Sequence, residues 1–146
     1  MREIAERLLL TVWVGGMWTV GYLVAPTLFT MLDDRALAGR IAGQLFTVMS
    51  YVGLVCGGLL LLSLALESGT RLFKQWRGPV LIVMLVVIGV GQFILQPQMA
   101  ALRDTGLNSA NLQAFMRLHG ISQVLFLIAS LGGLALVMFG VRVKKR

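Results

Sequence analysis

The chain has 146 residues, 58% hydrophobic and only 13% charged, with a formal net charge of +7. Soluble domains carry about 25% charged residues to cover a water-facing surface, so this composition excludes an ordinary soluble domain and requires a surface turned to lipid. The basic excess does not mark a nucleic-acid binder, which needs a basic face on a soluble fold. Here the cations sit between and beyond long apolar runs, where they meet anionic lipid headgroups.

The first apolar run is Leu8 to Phe29, LLLTVWVGGMWTVGYLVAPTLF. Arg2 and Arg7 before it give it the look of a secretion signal, but such a signal has an apolar core of about 7–15 residues and a small-residue cleavage site. This run is longer, and the only site, near Val24-Ala25, is followed by Pro26. It is expected to be retained as a membrane span. A short connection, TMLDDRALAGR, follows, in which Asp33 or Asp34 suits a helix N-cap.

The second run is Ile41 to Leu66, the third Pro79 to Leu95 and the fourth Gly120 to Val141; none of the four contains a charged residue. A bilayer core of about 30 Å takes about 20 helical residues. The third run is the shortest, but Pro79 suits a helix start and the helix is expected to continue past Pro97 with a kink. The runs are continuous rather than alternating, so helices and not barrel strands satisfy the backbone inside the bilayer. In the last connection, RDTGLNSANLQAFMRLH, Asn108 or Ser109 suits a cap for a helix running into the fourth span.

The expected fold is therefore all-α: one integral membrane domain over residues 1–146, with spans at about 8–29, 41–66, 79–95 and 120–141. Short connections make consecutive helices antiparallel neighbours in one bundle. With four spans, one side holds nine basic residues, Arg2, Arg7, Arg71, Lys74, Arg77, Arg142, Lys144, Lys145 and Arg146. The other side holds four, Arg35, Arg40, Arg103 and Arg117. Positive residues collect in the cytoplasm, so both termini are expected there, with Trp76 anchoring the cytoplasmic loop at the interface. A multi-pass protein of a bacterial inner membrane fits this build.

Polar and small residues recur at helical spacing inside the spans. Thr11, Gly15, Trp18 and Tyr22 share a face of the first helix. Arg40, Gln44, Thr47 and Tyr51 share one on the second, continued by Gly58. The third offers Gln92 and Gln96; the fourth offers His119, Ser122, Gln123 and Ser130. Lipid gives such groups no partners, so these faces are expected to turn inward, and Tyr22, Arg40, Gln44, Tyr51, Gln92, Gln96, His119, Ser122 and Gln123 form a candidate polar site, mostly in the outer half of the bundle. Gly39 and Gly43, Gly53 and Gly57, and Ala129 and Gly133 are spaced for close helix approach. His119 is expected to tie the fourth helix to Gln44, Tyr51, Gln92 or Gln96, or with them to line a pocket open to the outside.

Three segments resemble a known family. Phe115 to Ser122, FMRLHGIS, is similar to the Phe-x-x-Leu-His-Gly-Ile/Leu-Ser signature of the family called domain of unknown function 4149, which includes proteins similar to transmembrane protein 205. Ala25 to Phe29, APTLF, and Gln96 to Arg103, QPQMAALR, also fit it. The resemblance implies a four-helix membrane protein without an established activity. The family pattern has an asparagine shortly after the serine, and here Phe126 stands near that place.

No catalytic, metal-binding or cofactor-binding set is readable. His119 is the single histidine, so a bis-histidine haem is excluded. The one cysteine, Cys56, lies in an apolar run and reads as a small hydrophobe. The expectation is a non-enzymatic helper or structural membrane protein acting through helix-helix contacts, as a homo-oligomer or with a membrane-protein partner. The alternative is a small transporter or channel for a metal ion or polar solute, although transporters usually carry intramembrane carboxylates and these spans have none.

Overall fold

The computed structural model describes residues 2–68, 73–108 and 110–140. Arg71, Ser109, Val141 (the expected end of the fourth span), Arg142, Lys144, Lys145 and Arg146, named above, lie outside these, as does the side chain of Ser68. The described residues form four long helices and no strand. They are α1 (Arg2–Met31), α2 (Arg35–Ser68), α3 (Arg77–Asp104) and α4 (Leu112–Phe139). Each is long and apolar enough to cross a membrane.

The helices overrun the apolar runs, because charged residues with good helix propensity extend them into the interface. α1 begins at Arg2 rather than Leu8, and α3 continues from Leu95 to Asp104. Asp34 caps α2: its Oδ1 accepts from the backbone N–H of Ala36 at 2.8 Å and of Leu37 at 3.0 Å. Before α4, Asn108 Oδ1 accepts from Ala110 N at 2.9 Å and Asn111 N at 3.1 Å, while Asn111 Oδ1 accepts from Asn108 N at 2.9 Å. α3 is closed by Gly106, whose φ of 78° is the left-handed conformation that glycine adopts without strain.

Neither Pro26 nor Pro97 ends its helix. A helical proline clashes with the carbonyl four residues back, which is that of Tyr22 for Pro26 and of Phe93 for Pro97. Both carbonyls lie in wider π-helical turns, Thr19–Val24 and Gly91–Leu95. The widened turn moves the carbonyl away from the ring and lets the helix continue. A third π segment, Thr11–Gly15, has no proline beside it. Thr19 and Thr27 face outward, yet each hydroxyl donates to the carbonyl four residues back, Gly15 at 2.8 Å and Leu23 at 2.7 Å. That satisfies them where lipid offers no acceptor.

The core is mainly apolar, with Ser130 of α4 buried in it, and is filled by large side chains set against glycines. Trp13, Met84 and Leu136 are its most deeply buried large residues, at 1% exposure each. Trp13 of α1 seats its indole on Gly53 and Gly57 of α2, Val14 packs on Gly133 of α4, and Met84 of α3 packs on Gly132. These glycines accept side chains, where close approach of two backbones was expected. An indole offers far more contact area than a second backbone, and dispersion contact drives packing between helices in lipid.

Candidate functional site

One end of the bundle carries an ion-pair network that joins three helices. Arg2 of α1 donates through Nε to Ser63 Oγ of α2 at 2.9 Å and through Nη2 to Glu67 Oε2 at 3.2 Å and to the Ser63 carbonyl. Ser63 Oγ donates in turn to Glu6 Oε1 at 3.1 Å, and Arg77 Nη2 of α3 donates to Glu6 Oε2 at 3.2 Å. The Glu6 and Arg77 side chains are 18% and 12% exposed, so this pair is largely removed from solvent and strengthened accordingly.

Polar side chains of α3 grip the opposite part of α2. Gln96 Nε2 donates to the Gly43 carbonyl at 2.9 Å and approaches Thr47 Oγ1 at 3.4 Å; Thr47 itself donates to Gly43 O at 3.0 Å. Arg103 Nη1 donates to the Gly39 carbonyl at 2.9 Å. A side chain at Gly43 would meet Arg103 and Gln96 at 3.0–3.2 Å, so this glycine opens its own backbone to them. Gly39 is looser, with its nearest neighbour, the Phe29 ring, 3.9 Å from a Cβ position.

The other residues expected at the polar site do not converge with Gln96. Ser122 is half-buried, its hydroxyl 4.0 Å from Met99 Sδ, and Gln92 is half-buried with no hydrogen bond among the described residues. Arg40, Gln44, Tyr51, Tyr22, His119 and Gln123 are exposed on the outside of the bundle. Tyr51 meets Phe93 edge-on, at 6.3 Å between centroids. His119 stacks on Phe115 and lies 3.3 Å from Gln123 Nε2, both on its own helix, and among the described residues it makes no hydrogen bond to a second helix. Tyr22 rests edge-on against Phe126, which also meets Phe46 and takes the space over Gly21. The position where the resemblance implies an amide is thus an aromatic joint between α1, α2 and α4.

The reason for this dispersal is packing. The inward face of α2 consists of Ala38, Ala42, Gly53, Cys56, Gly57, Leu60 and Leu64. Small and branched side chains there let α1 and α3 approach, and the polar stripe about opposite is left facing out. Ala129 and Gly133 of α4 are buried in the same way.

Four residues that carry polar contacts between helices lie off the polar stripes read from the sequence: Glu6, Ser63, Arg77 and Arg103. Two signals for them exist in the chain. Glu6 follows Arg2 by one helical turn, and Arg103 follows Gln96 by two. Among the described residues, no three of His, Cys, Asp and Glu stand together in a way that holds a metal ion. Two open grooves lie on the outer surface. One of about 340 Å³ is lined by Arg2, Leu59, Leu62, Ser63 and Leu66, and one of about 230 Å³ by Pro79, Val80, Val83, Met84, Ile128 and Gly132.

Residues 8–108 match the family described as Domain of unknown function (DUF4149). The matched stretch takes in Ala25–Phe29 and Gln96–Arg103 and stops before the Phe115–Ser122 segment. An uncharacterized protein of Aquifex aeolicus (strain VF5) is 29% identical over 142 residues, covering 95% of this chain and 98% of its own. No solved structure matches the chain. A multi-pass helical membrane protein by its spans, the chain belongs to the DUF4149 family, whose function is unknown.

Proposed function

We propose that this is a non-enzymatic membrane protein that acts by presenting its outer helix surface to other helices in the bilayer. One observation carries the reading: Tyr22, Gln44, Tyr51 and Gln123 stand exposed on the outside of the bundle, while the core between the helices is filled mainly by large apolar side chains. Tyr51 is the sharpest case. It lies ten residues beyond Ile41, about 15 Å along the helix at about 1.5 Å per residue, near the middle of a core about 30 Å thick. Its side chain is half exposed and makes no hydrogen bond among the described residues. A hydroxyl at that depth gains from a partner helix that supplies one.

The charge distribution supports the orientation that goes with this reading: helices alternating in direction, both termini in the cytoplasm, and a bacterial inner membrane as the site. The Arg2–Glu6–Arg77 network then lies at the cytoplasmic interface, among anionic headgroups. The test is a photo-crosslinking residue placed at Tyr51, Gln123 or, as a control, Leu131 in native membranes. Discrete protein adducts from Tyr51 or Gln123, and few from Leu131, are expected. Adducts to lipid alone at all three positions would overturn the reading. Solute flux through the purified protein in liposomes would replace it with transport.

A further inference from the structure

On the outer face of α2, Gln44, Tyr51 and Gly58 lie seven residues apart, and Val48, Val55 and Leu62 interleave with them, also seven apart. Alternating steps of four and three form the seam of a left-handed helix pair. All of these except Gly58 are exposed, and Val48, Tyr51, Val55 and Leu62 are each more than half exposed. At Gly58 nothing lies within 4 Å of a Cβ position, so the bundle itself has no use for a glycine there. Neither Gln44 nor Tyr51 makes a hydrogen bond among the described residues. At the other end the seam opens into the groove of about 340 Å³ lined by Arg2, Leu59, Leu62, Ser63 and Leu66, which offers a hole for a neighbour's side chain.

We infer that this seam is the self-association surface of the protein, on which α2 of a second copy packs in parallel. The inference rests on the function proposed above and names its partner. Copies in a membrane share one orientation, so a two-fold axis along the membrane normal sets each seam residue against its own counterpart. Gln44 then meets Gln44 and Tyr51 meets Tyr51. An amide and a phenol each carry both a donor and an acceptor, so like pairs with like. A foreign helix would need an amide and a hydroxyl at the same two heights; a second copy has them by symmetry. Gly58, two turns beyond Tyr51, is the place where the two backbones come closest.

The test uses the full chain in native membranes with Cys56→Ala and single cysteines introduced in turn. Val48→Cys, Val55→Cys and Leu62→Cys are expected to form disulfide-linked dimers on mild oxidation. Leu127→Cys and Leu131→Cys, exposed on α4, are expected to give about a tenth of that yield or less, since the seam repeats on one face alone. Gly58→Leu sets its Cβ where nothing lies within 4 Å in the single bundle; with the helix content of the monomer checked by circular dichroism, it is expected to lower the Val55→Cys dimer by about ten-fold. Gln44→Leu weakens the dimer by about three-fold, the loss expected for one hydrogen bond between membrane helices. Dimer yield without the seam periodicity, or indifference to Gly58→Leu, would overturn the inference. So would a probe at Tyr51 that captures only a different protein, which leaves the general function standing. A probe there, at Gln123 and at Leu131 that finds lipid alone removes both.

Discussion

Replacing Gly57 by alanine places a methyl group where the bundle has no room for one. The new Cβ would lie 2.8 Å from Leu85 Cδ2 and 2.8 Å from Trp13 Cη2, with Trp13 Cζ3 at 2.9 Å. Trp13 is 1% exposed, so its rigid indole cannot swing aside, and α1 must back away from α2. Overpacking of a filled core costs about 1–3 kcal/mol. Exchanging glycine for alanine inside a helix returns up to about 1 kcal/mol, leaving an expected net loss of about 1–2 kcal/mol. The neighbouring residue is the control. Gly58 has nothing within 4 Å of its Cβ position, and Gly58→Ala should be neutral or stabilising by about 0.4–1 kcal/mol through the unfolded chain. The assay is unfolding of the detergent-solubilised monomer, followed by circular dichroism as temperature or denaturant rises. Trp13→Phe removes the ring atoms that Gly57→Ala strikes, so the two changes should couple by about 1 kcal/mol in a double-mutant cycle. Equal tolerance of alanine at 57 and 58, or a Gly57→Ala penalty unchanged in the Trp13→Phe background, would refute the packing argument.

Other perturbations test the two polar grips and the topology. Glu6→Gln leaves the largely buried Arg77 without its counter-ion, and a loss of about 1–3 kcal/mol is expected, less than for a fully buried pair because both side chains keep some exposure. The charge swap Glu6→Arg with Arg77→Glu should recover part of it in the same unfolding assay. Gln96→Leu removes the bond to the Gly43 carbonyl and should lower stability by about 0.6–1.7 kcal/mol; no change would mean the bond contributes nothing net. A reporter fused after Arg146 should read as cytoplasmic and one inserted near Gly106 as external; swapped readouts would reverse the proposed orientation.

The four spans were legible in the chain because crossing a bilayer depends on local length and apolarity, which need no knowledge of neighbours. A cap at Asp33 or Asp34, which the structure narrows to Asp34, and the passage of α3 through Pro97 were legible for the same reason, since both are settled within one or two turns. The span ends were less so: Arg2 and Glu6 read as flanking charges, yet they lie within α1 and pair with Glu67 of α2 and Arg77 of α3. The direction in which each polar face turns was legible only in part: Gln96, Thr47 and Ser130 turn inward as expected, whereas Tyr22, Gln44, Tyr51, His119 and Gln123 face out. In water, burying apolar surface orients an amphipathic helix; in lipid that force is absent, and shape takes its place. Helical spacing placed Gln44, Tyr51 and Gly58 on one stripe correctly. Only the fit of Trp13 onto Gly53 and Gly57 determined that the stripe faces outward, because that contact joins residues forty and more positions apart. Gln96 was drawn inward by the open carbonyl at Gly43, an acceptor that exists only once α2 and α3 lie side by side.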